Sequence, residues 1–281
     1  MEYVNLNNGV KMPILGYGVF QIAAEETERC VLDAISVGYR SIDTAQGYFN
    51  EEGVGDAISK CGLPREELFL TTKIWISNGG YEKAKESIEE SLRKLKTDYI
   101  DLMLIHQPFN DYYGSYRAME EAYKEGKIRA IGVSNFMPDR FIDIAGFVEV
   151  PPAVNQLEVH VFQQQKTAKD ILKNYGTQLM AWSPLAQGHN NLFTNEVLTG
   201  IGEKYRKTAA QVNLRFLIQL GVVVIPKSTH IERMKENFDL FDFSLTPEEV
   251  KSIQKLDLAK SQFIDHYAPD VAEMFVNAGK M

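Results

Sequence analysis

Cysteine is nearly missing: Cys30 and Cys61 are the only two in 281 residues, and they form no CxxC pair. A disulfide framework and dithiol chemistry are therefore excluded, and both residues, set among apolar neighbours in helix-like stretches, read as buried free thiols. Basic charge is in deficit. Lys and Arg number 30 against 38 Asp and Glu, giving a net charge of −8 and an isoelectric point near 5.3. A nucleic-acid binder needs a basic face to displace counterions from phosphates, so none is expected as partner, and any anion site must be local. Long apolar runs are absent too. No stretch approaches the ~20 residues of a membrane span, and "MEYVNLNNGV" has neither the basic start nor the apolar run of a signal peptide, so a cytoplasmic protein without membrane contact is expected. The five histidines (His106, His160, His189, His230, His266) stand alone, with no HxH, HxxxH or HExxH spacing to seat zinc, so no metal is expected.

What is present is an ordinary globular composition, 44% hydrophobic and 24% charged. Short apolar runs bounded by turn residues alternate with segments of helical period. Eight runs read as strands: "PILGYGVF", "YRSIDT", "LFLTTKI", "YIDLMLIH", "IRAIGVS", "AVNQLEV", "QLMAWSPL" and "GVVVIPKS". Between them lie helix-like stretches such as "AEETERCVLDAISVG", "YEKAKESIEESLRKLK", "SYRAMEEAYKEG" and "TAAQVNLRFLIQLG", several closing on Gly38, Gly126 or Gly221, where a left-handed cap would sit. Eight βα units without a composition break predict one α/β domain over residues 1–281, a closed (β/α)8 TIM barrel. The alternative, an open doubly wound sheet, should carry a GxGxxG turn, and "GYGVFQ" at residues 16–21 has only the first two glycines. An Asn8-Gly9 turn between alternating residues predicts a hairpin across the bottom of the barrel. At the other end, "LTPEEVKSIQKL" predicts a Thr-capped helix with Pro247 at its first position, followed by a C-terminal tail over the barrel.

In a closed barrel, active sites lie at the C-terminal strand ends. There the second strand ends in Asp43, the third in Lys73, the fourth in His106, the fifth in Ser134 and Asn135, the sixth in Asn155 and Gln156, the seventh in Ser183, and the eighth in Lys227 and Ser228. A buried aspartate and a buried lysine are costly unless paired, and adjacent strand ends bring these two within reach. Tyr48, on the loop after strand two, can lean over that pair, and a neighbouring ammonium is expected to lower a phenol pKa from ~10. With His106 able to hold an incoming oxygen, the mouth has a proton donor, a tuning pair and an orienting donor, but no nucleophile or metal. The reducing equivalents must come from elsewhere.

The residues at this point resemble the aldo-keto reductase family. "DTAQGYFNEEGVG" is similar to its D-x4-Y-x-N-E-x2-V-G signature, "KEGKIRAIGVSNF" to its central G-V-S-N-F segment, and "IPKSTHIERMKENFDLFDF" to its cofactor segment. The resemblance runs from the hairpin to about His266 and implies NADPH-dependent reduction of aldehydes and ketones, with Tyr48 protonating the oxygen and Asp43, Lys73 and His106 completing a tetrad. It implies Ser134, Asn135 and Gln156 at the nicotinamide carboxamide, Trp182 stacked on the ring, Ser183, Leu185 and Gln187 along the pyrophosphate, and Lys227, Ser228, Thr229, Arg233 and Asn237 at the adenosine end. Substrate would meet Phe20, Gly47, His106 and Gln107. Here the chain departs from the common pattern, with His106-Gln107-Pro108 for His-Trp-Pro, Phe20 for a frequent tryptophan and Gly47 for a larger side chain. The short connection "QPFNDYYGSY" resembles bacterial members such as the 2,5-diketogluconate reductases. A monomer binding cofactor first is implied. Two rival readings remain at this stage, a non-catalytic cofactor-binding sensor and a Schiff-base aldolase using Lys73 or Lys227.

Overall fold

The computed structural model describes residues 2–280. An antiparallel hairpin, β1 (Tyr3–Asn5) and β2 (Lys11–Pro13), opens the chain. Then follow β3 (Tyr17–Gly18), α1 (Ala24–Val37), β4 (Ser41–Asp43), α2 (Glu51–Lys60), β5 (Phe69–Ile74), α3 (Tyr81–Leu95), β6 (Leu102–Ile105), α4 (Tyr112–Lys124), β7 (Ile131–Ser134) and α5 (Pro138–Phe147). The second half continues with β8 (Val154–Glu158), α6 (Lys166–Asn174), β9 (Gln178–Trp182), α7 (Glu196–Tyr205), α8 (Ala209–Gln219), β10 (Val223–Val224), α9 (Ile231–Phe238), α10 (Pro247–Gln254) and α11 (Pro269–Ala278).

Strands β3 to β10 pair in chain order and all in parallel. The seam between first and last closes through a bridge of Leu15 with Val224, where Gly16 N donates to Val224 O at 2.8 Å and Val224 N to Ile14 O at 2.9 Å. Closure brings backbones together: a Cβ on Gly18 would stand 3.0 Å from the carbonyl of Ile225, so a side chain would wedge the seam. The eight-unit barrel reading is thereby borne out, and the open sheet is not.

The helices follow from local chemistry. On α3 the buried Ala84, Ile88, Leu92 and Leu95 recur every three or four positions and face the strands. Capping boxes start α8 (Thr208 with Gln211) and α10 (Thr246 with Glu249, Pro247 at N1), the latter as predicted. Gly38, Gly126 and Gly221 do take positive φ after their helices. The hairpin covers the bottom: Asn7 and Asn8 donate to the carbonyls of Pro152 and Arg129, both just ahead of barrel strands. Cys30 is buried, but Cys61, just past α2, is only half-buried, which corrects that expectation. The tail holds a helix, α11, that periodicity did not single out.

Strands of a closed parallel barrel are buried on both faces and are normally apolar throughout. Here Thr71, Thr72 and Lys73 on β5 and Asn155 and Gln156 on β8 are all buried. Polar groups in such a place need partners: Lys73 and Gln156 both find Asp43, which marks the site, whereas Thr72 bonds Glu51, Asn155 donates to Phe136 O, and Thr71 Oγ1 has no partner among the described residues.

Candidate active site

Lys73 lies inside the barrel, fully buried, with its ammonium donating to Asp43 Oδ1 at 2.6 Å and to the carbonyl of Thr44 at 2.8 Å. The other carboxylate oxygen of Asp43 accepts from Gln156 Nε2 at 2.8 Å, so strands β4, β5 and β8 meet at one group. The Tyr48 hydroxyl stands 3.4 Å from the Lys73 ammonium. His106, directly after β6, packs edge-on against the Tyr48 ring with centroids 5.5 Å apart. The four residues named from strand ends and one loop are thus neighbours.

Tyr48 sits on a 3-10 turn, Gln46–Tyr48, that is pinned on both sides. Gln46 accepts from Trp75 N and Asn78 Nδ2, each at 2.9 Å, and donates to Ser87 O and Ser91 Oγ, each at 3.1 Å. Two residues beyond Tyr48, the buried Asn50 donates to Val19 O at 3.0 Å and accepts from Thr44 Oγ1 at 2.8 Å. Phe49 between them takes a left-handed φ of 57°, which the pinned flanks impose. The fixed spacing of the signature is explained: Asn50 and Gln46 hold the turn that holds Tyr48.

The electrostatics correct one expectation. Burial raises the Tyr48 pKa above its ordinary 10.0; Lys73 works against the rise and Asp43 adds to it. One ammonium, itself paired with a carboxylate, does not outweigh desolvation, and Tyr48 is a phenol at neutral pH. The ring keeps partial exposure, whereas its hydroxyl end lies among buried groups, and the hydroxyl's surroundings set the titration. For Lys73 burial opposes charge, but Asp43 and then Tyr48 outweigh it, and the pKa is raised. His106 is driven well below 6.5, first by burial and then by Lys73, so the imidazole is neutral. Its Nδ1 is buried without a partner among the described residues.

Further round the mouth, Asn135 links three strands: its amide donates to His106 O at 3.0 Å and Ser134 Oγ at 3.2 Å, while its oxygen accepts from Trp182 Nε1 at 2.8 Å. Trp182 is held edge-on by that bond and stays half-exposed. After it, five non-glycine residues between Ser183 and Asn191 (Ser183, Ala186, Gln187, Asn190, Asn191) have positive φ. Such costly backbone clusters at ligand clamps. Leu185 lies half-buried in this loop and Gln187 is exposed. Beyond β10, Lys227 and Arg233 are exposed, and neither pairs with a carboxylate among the described residues. Glu236, the obvious partner for Arg233, accepts instead from Thr208 Oγ1 at 2.7 Å. Asn237 is 5% exposed yet makes no side-chain hydrogen bond among the described residues. Thr229 is half-buried, and the Ser228 hydroxyl is engaged locally with His230 N at 3.0 Å. A half-exposed indole, a run of strained backbone, and two exposed cations and an amide without side-chain partners among the described residues suit a flat ring, a pyrophosphate and a phosphorylated nucleoside in that order.

Among the residues expected to meet substrate, Phe20 packs on Tyr48 with centroids 4.9 Å apart. Gly47 does not leave open space: a Cβ there would lie 2.9 Å from two atoms of the Trp75 indole, and that indole rests edge-on against His106 at 5.0 Å. Trp75 was missed by sequence reasoning, although its place two residues past Lys73 at a strand end was a usable signal. Gln107 is 8% exposed, and its Oε1 takes a 3.0 Å bond from His266 Nε2 in the tail. Behind it, His266, Phe275 and Phe109 form a stack, with centroid spacings of 5.9 and 5.2 Å. No metal-holding cluster of His, Cys, Asp or Glu exists among the described residues, and no helix there is long and apolar enough to cross a membrane.

The model of the Aldo/keto reductase family matches residues 14–258. The chain is 50% identical to glyoxal reductase of Bacillus subtilis over 258 residues, 91% of this chain and 93% of that one. It is 43% identical to methylglyoxal reductase DkgA of Escherichia coli over 263 residues, covering 92% and 94%. Among solved structures, the Bombyx mori aldo-keto reductase in complex with NADP superposes with a TM-score of 0.88 at 35% identity, covering 94% of this chain and 95% of that one. A family match over most of the chain, and half identity to a relative along nine-tenths of it, place this protein in the aldo/keto reductase family.

Proposed function

We propose that the protein reduces aldehydes and ketones with NADPH, Tyr48 giving the proton, and that compact polar carbonyls such as α-dicarbonyls are its preferred substrates. The observation that carries the reading is the Tyr48 hydroxyl at 3.4 Å from an ammonium that Asp43 and Thr44 lock in place. NADPH, when bound, supplies the hydride. Trp182 would support the nicotinamide, Ser134, Asn135 and Gln156 its carboxamide, Ser183, Leu185 and Gln187 the pyrophosphate, and Lys227, Ser228, Thr229, Arg233 and Asn237 the adenosine end.

The chain's own residues do the rest. Neutral His106 keeps one N–H to orient the carbonyl oxygen toward Tyr48. As that oxygen gains negative charge, the phenol passes it a proton, and Lys73 stabilises the phenolate left behind. Asp43 keeps Lys73 charged despite burial. An ammonium with a raised pKa, already donating to a carboxylate and a carbonyl, is a poor nucleophile, which weighs against Schiff-base chemistry at Lys73. The amide of Gln107 and the family likeness to glyoxal and methylglyoxal reductases support the substrate class.

Replacing Tyr48 by Phe should cut carbonyl reduction at least ~10²-fold while NADPH still quenches tryptophan fluorescence. Parent-like turnover in that variant overturns the assignment. Exchanging Gln107 for Trp should lower kcat/KM for methylglyoxal relative to an aromatic aldehyde by roughly tenfold, since a hydrogen-bonding wall becomes an apolar one. A parent protein that favours bulky apolar ketones contradicts the proposed pocket.

A further inference from the structure

Glu158 is a buried carboxylate that the chemistry above does not use. It ends β8, two residues beyond Gln156, and is 4% exposed. A carboxylate in that position needs donors, and it has three. Ser261 Oγ reaches Oε2 at 2.5 Å, Gln262 N reaches Oε1 at 2.8 Å, and His160 Nε2 reaches Oε1 at 3.0 Å. The ring proton of His160 points at Glu158 because its Nδ1 already accepts from Phe162 N at 3.2 Å. Two of the three donors stand 103 and 104 residues away, in the C-terminal tail. Glu158 therefore joins the tail to the barrel rather than one strand to the next.

The residues so held lead back to the mouth. Gln262 Oε1 takes a 2.5 Å bond from Asn190, in the strained loop after β9. Phe263, next along, packs on Trp182 with centroids 5.6 Å apart and on His189 of the same loop at 5.0 Å. Asn135 holds one edge of the Trp182 indole through Nε1, and Phe263 supports the ring from the tail side. Three consecutive tail residues thus tie the end of β8, the indole ending β9 and the loop beyond it.

We propose that Glu158 is a positioning residue for the cofactor: by clasping Ser261 and Gln262 it seats Phe263 against Trp182 and His189, fixing the indole and the loop on which the nicotinamide end would lie. The inference rests on the reading of Trp182 as that support. It assigns the tail a part in cofactor affinity, through a carboxylate that accepts on both of its oxygens. Glutamine can keep two of the three contacts, its oxygen accepting from Gln262 and His160, but it loses the third, because Ser261 Oγ already accepts from Phe263 N at 3.0 Å and Ile264 N at 2.9 Å and has no lone pair left for an amide.

The test uses the full chain with Trp75→Phe, so that Trp182 is the only tryptophan in the emission measurement, and NADPH affinity is read from the cofactor's own fluorescence, which also serves Trp182→Ala. Phe263→Ala should shift Trp182 emission to the red before any cofactor is added, and should raise the NADPH dissociation constant roughly three- to tenfold, the scale of one lost aromatic contact. Glu158→Ala should do the same, and Glu158→Gln, which keeps the contacts from Gln262 N and His160, should recover both values in part. Phe263→Ala alters a tail side chain outside the barrel, so it stays informative if Glu158→Ala fails to fold. Parent-like emission and NADPH affinity in Phe263→Ala overturn the clasp. The underlying reading has its own check. If Trp182→Ala binds NADPH like its parent, Trp182 is no support and the proposal falls with that reading; if Trp182→Ala loses affinity while Phe263→Ala keeps it, the support stands and the clasp alone is refuted.

Discussion

Tyr48 and Lys73 share a proton-rich corner in which burial and charge pull in opposite directions. Burial raises the Tyr48 pKa and Lys73 holds it back; for Lys73 burial opposes charge and Asp43 restores it. The kinetic consequence follows from the signs. If Tyr48 is the proton donor, as proposed, a pKa above its ordinary value keeps it loaded throughout the neutral range, and His106, depressed well below 6.5, does not titrate there either. The rate of reduction should therefore be flat on both sides of pH 7 and fall only at alkaline pH beyond ~10, where the phenol empties. A stopped-flow pH profile of the chemical step checks this. A break near neutrality would mean that the ammonium outweighs burial after all.

Among the elements, the C-terminal tail is the one whose role depends on pH. His266 is held below its ordinary 6.5 chiefly by burial, while Glu158 and Asp265 pull it partly back. A histidine with a depressed folded-state pKa favours folding most above about 6.5, and that contribution is lost as pH falls from 6.5 toward the folded value. Acidification into that window should loosen the contact between His266 and Gln107, with faster amide exchange in residues 258–280 before the barrel itself yields. His266→Gln, which keeps a donor without titrating, should remove that pH dependence. Uniform exchange across tail and barrel strands would contradict it. The turn before Tyr48 obeys a different constraint: with the Trp75 indole 2.9 Å from where a Cβ would stand, the small residue at Gly47 seats a wall of the pocket rather than enlarging it.

For the molecule as a whole, a net charge of −8 makes Lys227 and Arg233 beyond β10, which pair with no carboxylate among the described residues, a local exception to the overall field. Arginine bound to a phosphate makes charge-assisted hydrogen bonds of roughly 1.5–3 kcal/mol, so Arg233→Ala should weaken NADPH binding about ten- to a hundredfold while leaving NADH nearly unchanged. Equal loss for both cofactors in a fluorescence titration would remove the 2′-phosphate from this cluster. The eight βα units, the hairpin at Asn8-Gly9 and the caps of α8 and α10 could be read from the chain itself, because period, turn residues and capping pairs are properties of neighbours within a few positions. The same holds for Asp43, Lys73 and His106, since a barrel sends every strand's C-terminal end to one mouth. Closure through Leu15 and Val224, the Trp75 indole lying on Gly47, the direction of the Tyr48 shift and the grip of Glu158 on Ser261 and Gln262 were decided only by the tertiary structure. Each depends on how deeply a group is buried or on residues far apart in the chain, and no local pattern encodes either until the barrel has closed and the tail has come to rest across it.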